Sequence, residues 1–386
     1  MTNNLLGIAI VIFTVLVVRW LERQQSATIQ SLLRWLPAIL FAYLIPAAIT
    51  HGFSLDLTRI ALHDISRDWL IPLAVVMVMS ALPLAKLRVV GARPLVLFVA
   101  GSLAIATLPV ILVLLASHTD ESYRAMFIDQ GYWKGLVPIV GGWIGGSTSQ
   151  LVLKEVSGTD EGLFLSVLVL DNILVNLWTI LMFQMIRRTS KLNTMAGISD
   201  EIQTIDEDAD ADADADERAP IHPMLVATIC LVAVTVTHLM QLVFLWKILS
   251  LSAVGLLLVN FLPRWNIGFV LRGGGIAIVV IMAILGLRLN FYSFSLPASF
   301  VVLVVTWLLL HYLFMLIVAM LLRLNLAWLP IASMANLGGI STAPAVTAAY
   351  RRELMPHAIL LAILSMVSGT AWGLLTIQLF RWIFPV

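Results

Sequence analysis

Asp171 is the residue whose placement most directly suggests chemistry. It lies near the middle of an apolar stretch, Gly162 to Phe183, with no other acid within about nine residues on either side. A carboxylate at bilayer depth is costly, so it faces a polar cavity, takes up a proton or meets a cation. Asn172 follows it, and Asn176 lies one helical turn after Asn172 on the same face. Carboxylate and amide oxygens are hard donors, which suits sodium, and the carboxylate alone suits a proton. The competing reading is an Asp held protonated and hydrogen-bonded to a neighbouring helix.

Two glycine-rich stretches supply complementary groups. The first reads VPIVGGWIGGSTSQ, Val137 to Gln150, and the second LPIASMANLGGISTAP, Leu329 to Pro344. Each holds a proline, then a Gly-Gly pair, then Ser and Thr. A helix broken at membrane depth frees N–H and C=O groups that lipid cannot satisfy, so the break must be buried in protein or line a cavity. Half-helix N-termini suit an anionic group on a solute, and half-helix C-termini suit a cation. Gly145, Gly146, Gly338 and Gly339 permit the close approach such a site needs. Ser147, Thr148, Ser149, Ser341 and Thr342 then read as solute-binding donors and acceptors, and Asn336 joins Asp171, Asn172 and Asn176 as an ion ligand. Tight helix packing through small residues is the alternative.

The elements that position these residues are membrane helices. Of 386 residues, 60% are hydrophobic and 12% charged, the latter about half the share in soluble proteins. Twelve apolar segments recur, at about 4–20, 34–50, 69–85, 94–117, 133–155, 162–187, 223–241, 244–262, 267–287, 297–322, 328–350 and 356–384. The expected fold is an all-α, polytopic membrane protein. The first segment reads as a retained span, since Arg19, Glu22 and Arg23 follow it in place of a small-residue cleavage site. One clearly polar stretch, residues 188–220, carries the acidic run Asp206 to Glu217 and reads as a disordered linker. It divides the chain into an N-terminal transmembrane repeat, 1–187, and a C-terminal one, 221–386.

The halves resemble each other: Pro138, Gly145-Gly146, Ser147 and Thr148 align with Pro330, Gly338-Gly339, Ser341 and Thr342. Parity then becomes a problem. Six crossings per half give parallel repeats, whereas inverted repeats need an odd number. The short pair at 223–241 and 244–262 is the suspect for a segment that does not cross. Basic residues Lys86, Arg88 and Arg93 in one loop, and Arg187, Arg188 and Lys191 in another, mark both as cytoplasmic. Strict alternation puts those loops on opposite sides.

Other groups read as structural. Cys230, the single cysteine, excludes an internal disulfide and reads as a packing residue. His238 and His311 read as hydrogen-bonded packing histidines rather than proton relays. Walker, Rossmann, HExxH and CxxC motifs are missing, so the chain does not read as an enzyme and no cofactor is called for beyond a coupling sodium ion or proton. An intramembrane hydrolase would need Ser147 or Ser341 as nucleophile with His238 or His311 as base. The net charge of +1 favours no nucleic acid.

At GGWIGGSTSQ, VLVLDNILVNLW and SMANLGGISTAPAVTAA the sequence resembles the domain-of-unknown-function family 819 of integral membrane proteins. It departs at Ser149, where the family pattern has Asn, and in ALPLAKLR, which lacks an expected acid. That family in turn looks like a distant member of the cation/proton antiporter and anion transporter superfamily. The resemblance implies a core domain with two crossing discontinuous helices, a separate panel domain, a homodimer, and an ion-binding acid at the position of Asp171. The expectation is a secondary active transporter in a bacterial inner membrane, moving an organic anion, amino acid or short peptide with sodium or protons. A sodium–proton antiporter without organic substrate is the alternative.

Overall fold

The computed structural model describes residues 2–26, 29, 33, 38–84, 90–199, 220–288, 296–348, 351 and 354–384. The described residues form helices and no strands, as expected where backbone polar groups must pair within their own segment. In chain order the principal helices are α1 (Thr2–Arg23), α2 (Ala38–Gly52), α3 (Ile71–Met79), α4 (Ala92–Thr119), α5 (Trp133–Val140), α6 (Gly146–Ser157), α7 (Glu161–Ile186), α8 (Thr189–Ala196), α9 (Pro223–Leu239), α10 (Phe244–Phe261), α11 (Ile267–Gly286), α12 (Ala298–Leu321), α13 (Trp328–Leu337), α14 (Gly339–Ala348) and α15 (Met355–Ile383). Local signals set several starts. The Asp160 side chain accepts from Gly162 N to open α7, and Asn266 accepts from Phe269 N to open α11.

Each of the twelve apolar segments contains helix, but among the described residues eight helical runs are long and apolar enough to cross a membrane. This is a multi-pass membrane protein. Four apolar segments fall outside these eight. Helix α2 is described from Ala38, and residues 34–37 before it lie outside the described residues. Helix α3 continues an unbroken helical run from Ala61 that carries Asp64, Arg67 and Asp68. Helix α9 has 17 residues, and the segment 328–350 is broken at Gly338-Gly339. Long helices present leucine-rich faces outward. On α12, Leu309, Leu313 and Ile317 recur every four residues and are about half exposed, the pattern of a lipid-facing stripe.

The run Trp133–Ser157 is long enough to cross, yet it does not run straight. At 25 residues a straight helix would separate its ends by about 37 Å. Instead Thr159 Oγ1 donates to the Lys134 carbonyl at 2.8 Å, and a Cβ on Gly141 would come within 2.9 Å of the Gln150 backbone. Helices α5 and α6 therefore fold back as a hairpin with its tip at Gly145-Gly146. Helices α13 and α14 do the same around Gly338-Gly339. Trp328, at the start of α13, packs edge-on against His357 in α15 with ring centroids 5.7 Å apart. The discontinuous helices expected to cross are thus two re-entrant hairpins. Both glycine-rich segments turn back on themselves, which the sequence does not assign to them.

The two hairpins open toward opposite ends of the molecule. At one end Tyr132 and Phe127 stack around Phe300, and Trp133 lies 5.2 Å from Phe380. At the other end Asn193 Nδ2 donates to Asn325 Oδ1 at 3.1 Å, and Leu326 N donates to Asn193 Oδ1 at 2.8 Å. Helix α7 joins the two ends and is about 39 Å long at 1.5 Å per residue.

Packing divides the helices into two groups. One apolar core gathers α4, the first hairpin, α7, α12, the second hairpin and α15. A second gathers α1, α2, α3, α9, α10 and α11, with Leu151, Val152 and Phe164 reaching in from the first group. Both sequence halves contribute to both groups. Charged residues tie the groups together at the first hairpin's open end. Lys154 Nζ lies 2.9 Å from Glu155 and 2.6 Å from Glu161, while Tyr43 on α2 donates to Glu161 at 3.1 Å. Arg67 and Arg288 flank these acids at 3.9 and 4.0 Å. Helix α8, with Asn193 buried, occupies the start of the stretch read as linker, and the acidic run Asp206 to Glu217 lies outside the described residues.

Candidate functional site

The hairpin tips have the same backbone geometry. Gly145 has φ −113° and ψ −3°, and Gly338 has φ −106° and ψ −14°. The next glycine in each, Gly146 and Gly339, has φ of 66° and 64°. A positive φ is the region glycine enters without steric cost, so one residue reverses the chain and starts a new helix. Four residues after the first glycine of each pair a hydroxyl folds under it. A Cβ on Gly145 would overlap Ser149 Oγ, and a Cβ on Gly338 would overlap Thr342 Oγ1. The structural match is therefore Thr148 with Ser341 and Ser149 with Thr342. It corrects the alignment from sequence by one residue and leaves Ser147 opposite Ile340. The side chains of Ile340 and Ser341 lie outside the described residues.

The tips meet in one polar cluster. Ser365 on α15 donates to the Ile144 carbonyl, one residue before the first tip, and lies 3.5 Å from Asn336 Oδ1, two residues before the second. Ser102 on α4 donates to the same Asn336 oxygen at 2.9 Å, and Asn336 Nδ2 donates to Phe98 O at 3.3 Å. Thr370 donates to Ser149 Oγ at 3.0 Å. The first tip packs so closely on α15 that a Cβ on Gly145 would sit 2.9 Å from the Gly369 Cα. Thr148, Ser149, Asn336, Ser365 and Thr370 are buried, and Thr342 Oγ1 is a buried atom without a hydrogen-bond partner.

Asp171 faces the first hairpin and is 7% exposed. Its Oδ2 accepts from Gln150 Nε2 at 3.1 Å, and the Gly142 backbone packs against the same oxygen, where a Cβ would come within 2.8 Å. The Trp143 indole adjoins the carboxylate without completing a hydrogen bond. Oδ1 is buried and has no partner. Asn172 and Asn176 do not share this direction. Asn172 Nδ2 donates to Leu168 O at 2.7 Å and Asn176 Nδ2 to Asn172 O at 2.9 Å, so both amides turn back on their own helix. Asn336 belongs to the tip cluster, where both its oxygen and its amide are engaged in bonds.

Residues 135–153 and 328–348 contain no Asp, Glu, Lys, Arg or His. Their chemistry is hydroxyl, amide and backbone, with Asp171 adding the charge. Among the described residues no three His, Cys, Asp or Glu side chains cluster as a metal site. His238 packs against Trp69 in the second helix group. His311 is fully buried on α12, one turn from Trp307, whose ring lies 4.4 Å from that of Trp143.

Sequence reasoning missed Ser102, Ser365, Gly369 and Thr370, which sit on α4 and α15. The signal available was Ser-Gly-Thr at 368–370, small and polar in mid-span. Gln150 was one donor among many in the sequence; its pairing with Asp171 emerges from the fold-back.

The family model described as "Protein of unknown function (DUF819)" matches residues 9–383, which include both hairpins and Asp171. The chain belongs to this family. No curated protein matches it.

Proposed function

We propose that this member of the family is a secondary active transporter, carrying a small polar organic solute between the two hairpin tips with a cation bound at Asp171. The observation that carries this reading is the pair of matched tips reaching each other from opposite ends. A broken helix at membrane depth is unfavourable unless its freed groups serve a cavity. Two of them meeting is the arrangement expected at the solute site of an inverted-repeat transporter. On this reading α4, the first hairpin and α7 form one repeat, and α12, the second hairpin and α15 form the other with opposite orientation. The remaining helices act as the panel against which these move. The uncharged tips suit an amino acid, a short peptide or an organic anion held by N–H and hydroxyl donors. The bacterial cell membrane as location and a homodimer as assembly form part of the same proposal.

The test is reconstitution of the purified chain into proteoliposomes. Labelled amino acids, dipeptides and organic acids are offered under a pH gradient or a sodium gradient. Gradient-driven accumulation of one solute class is expected, and Asp171→Asn is expected to abolish it while leaving the melting temperature near wild type. Full accumulation by that variant contradicts the assignment. An antiporter without organic substrate would instead change internal pH with no solute present.

A further inference from the structure

Resting on the transporter reading, we propose that the coupling ion at Asp171 is a proton rather than sodium, carried on Oδ1.

The argument begins with what surrounds the carboxyl. A bare alkali cation needs several oxygens to replace its water shell. The side chain bonded to Asp171 is a donor: Gln150 presents its amide nitrogen to Oδ2, and the Gly142 backbone closes the space beside that oxygen. At the tips the Ile144 carbonyl takes the Ser365 hydroxyl, and Asn336 Oδ1 takes the Ser102 hydroxyl.

The charge balance points the same way. An ionised carboxylate buried with one neutral donor and no cation is strongly unfavourable. Helices α5, α13 and α14 pack against α7, and α6 reaches it through the Gln150–Asp171 hydrogen bond. On α5 the titratable residue is Lys134, at the hairpin's open end. On α6 they are Lys154 and Glu155, also at that end and already paired with each other. Helices α13 and α14 carry none. On α7 itself Glu161 is bonded to Lys154. From α12, Tyr312 meets Trp178, two turns from Asp171, and His311 lies beside it in sequence. Among the described residues no fixed positive charge therefore compensates an ionised Asp171, and a proton does so with no oxygen cage. Oδ1, buried and without a partner, is the atom free to hold it. When the tips open to water the proton leaves to water, and no bond other than O–H is made or broken.

Two measurements on the purified full-length protein test this without knowledge of the solute. The first is equilibrium binding of radiolabelled sodium at neutral pH. The second is the infrared carbonyl band of a protonated carboxylic acid, recorded at the same pH in sodium and in choline buffer. The expected result is no saturable sodium binding and a protonated-acid band that sodium leaves unchanged and Asp171→Asn removes. Saturable sodium binding, or loss of the band on adding sodium, overturns the proposal. Both sodium comparisons use the wild-type chain, so they stand even if the variant fails to fold. Failure of every solute to accumulate in proteoliposomes would count against the transporter reading and leave these two results untouched.

Discussion

The second glycine of each tip carries the sharpest constraint at the scale of single residues. Gly146 combines φ 66° with ψ −166°, and Gly339 has φ 64°; another L-residue held in such a conformation is strained by about 1–3 kcal/mol. Gly146→Ala and Gly339→Ala are each expected to lower stability by about that amount, read as a fall in melting temperature. The open space around both positions means the loss comes from backbone strain rather than a clash. A control is Gly275→Ala on α11, also unobstructed but without positive φ, which is expected to be neutral or slightly stabilising. Equal losses at all three would remove the argument from φ. Much at this scale was legible in sequence, because Gly-Gly followed by Ser and Thr signals a break with polar flanks. The register was not legible. Matching Ser147 with Ser341 by letter type misses that the tip geometry counts from the glycines and makes Ser149 the partner of Thr342. Ser365 and Gly369 were invisible because they receive the first hairpin's tip, and a sequence read along one chain does not show which helix lies opposite.

At the scale of elements, the hairpins were half legible. Each Gly-Gly pair divides its segment into pieces of roughly ten residues, about 15 Å long, which cannot span roughly 30 Å of hydrocarbon alone. Composition alone does not tell two half-helices in line from two folded back, and the fold-back rests on contacts such as Thr159 with Lys134. The base of the first hairpin is also where the two helix groups are joined by charge. Lys154 has a side chain 5% exposed between Glu155 and Glu161. Glu161→Gln leaves Lys154 with Glu155 as its one remaining acid partner and weakens the acceptor of Tyr43. It is expected to destabilise by about 2–3 kcal/mol, at or below the range for a fully broken buried pair. Tyr43→Phe, which deletes one hydrogen bond to the same acid, is expected to cost about 1–2 kcal/mol. Thermal unfolding of the two variants side by side checks the order. A Tyr43 effect equal to or larger than the Glu161 effect would show that Lys154 does not depend on Glu161.

At the scale of the whole molecule, the class was legible and the topology was not. The apolar composition announced a multi-pass helical protein, and each apolar segment holds helix. The number of crossings failed because hydropathy measures length and greasiness and not direction. A hairpin buried in protein is as apolar as a span. Allowing the hairpins to turn back removes the parity conflict, since each then returns to the end it entered from. The central claim is that the two hairpins enter from opposite faces of the membrane and meet in the middle. Single-cysteine labelling tests it most directly. In a Cys230→Ser background, Gln130→Cys lies just before the first hairpin and Met355→Cys just after the second, both at exposed positions. A membrane-impermeant maleimide applied to sealed, oriented vesicles is expected to label one position from outside and the other only after the interior is opened. Labelling of both positions from the same face would contradict the account.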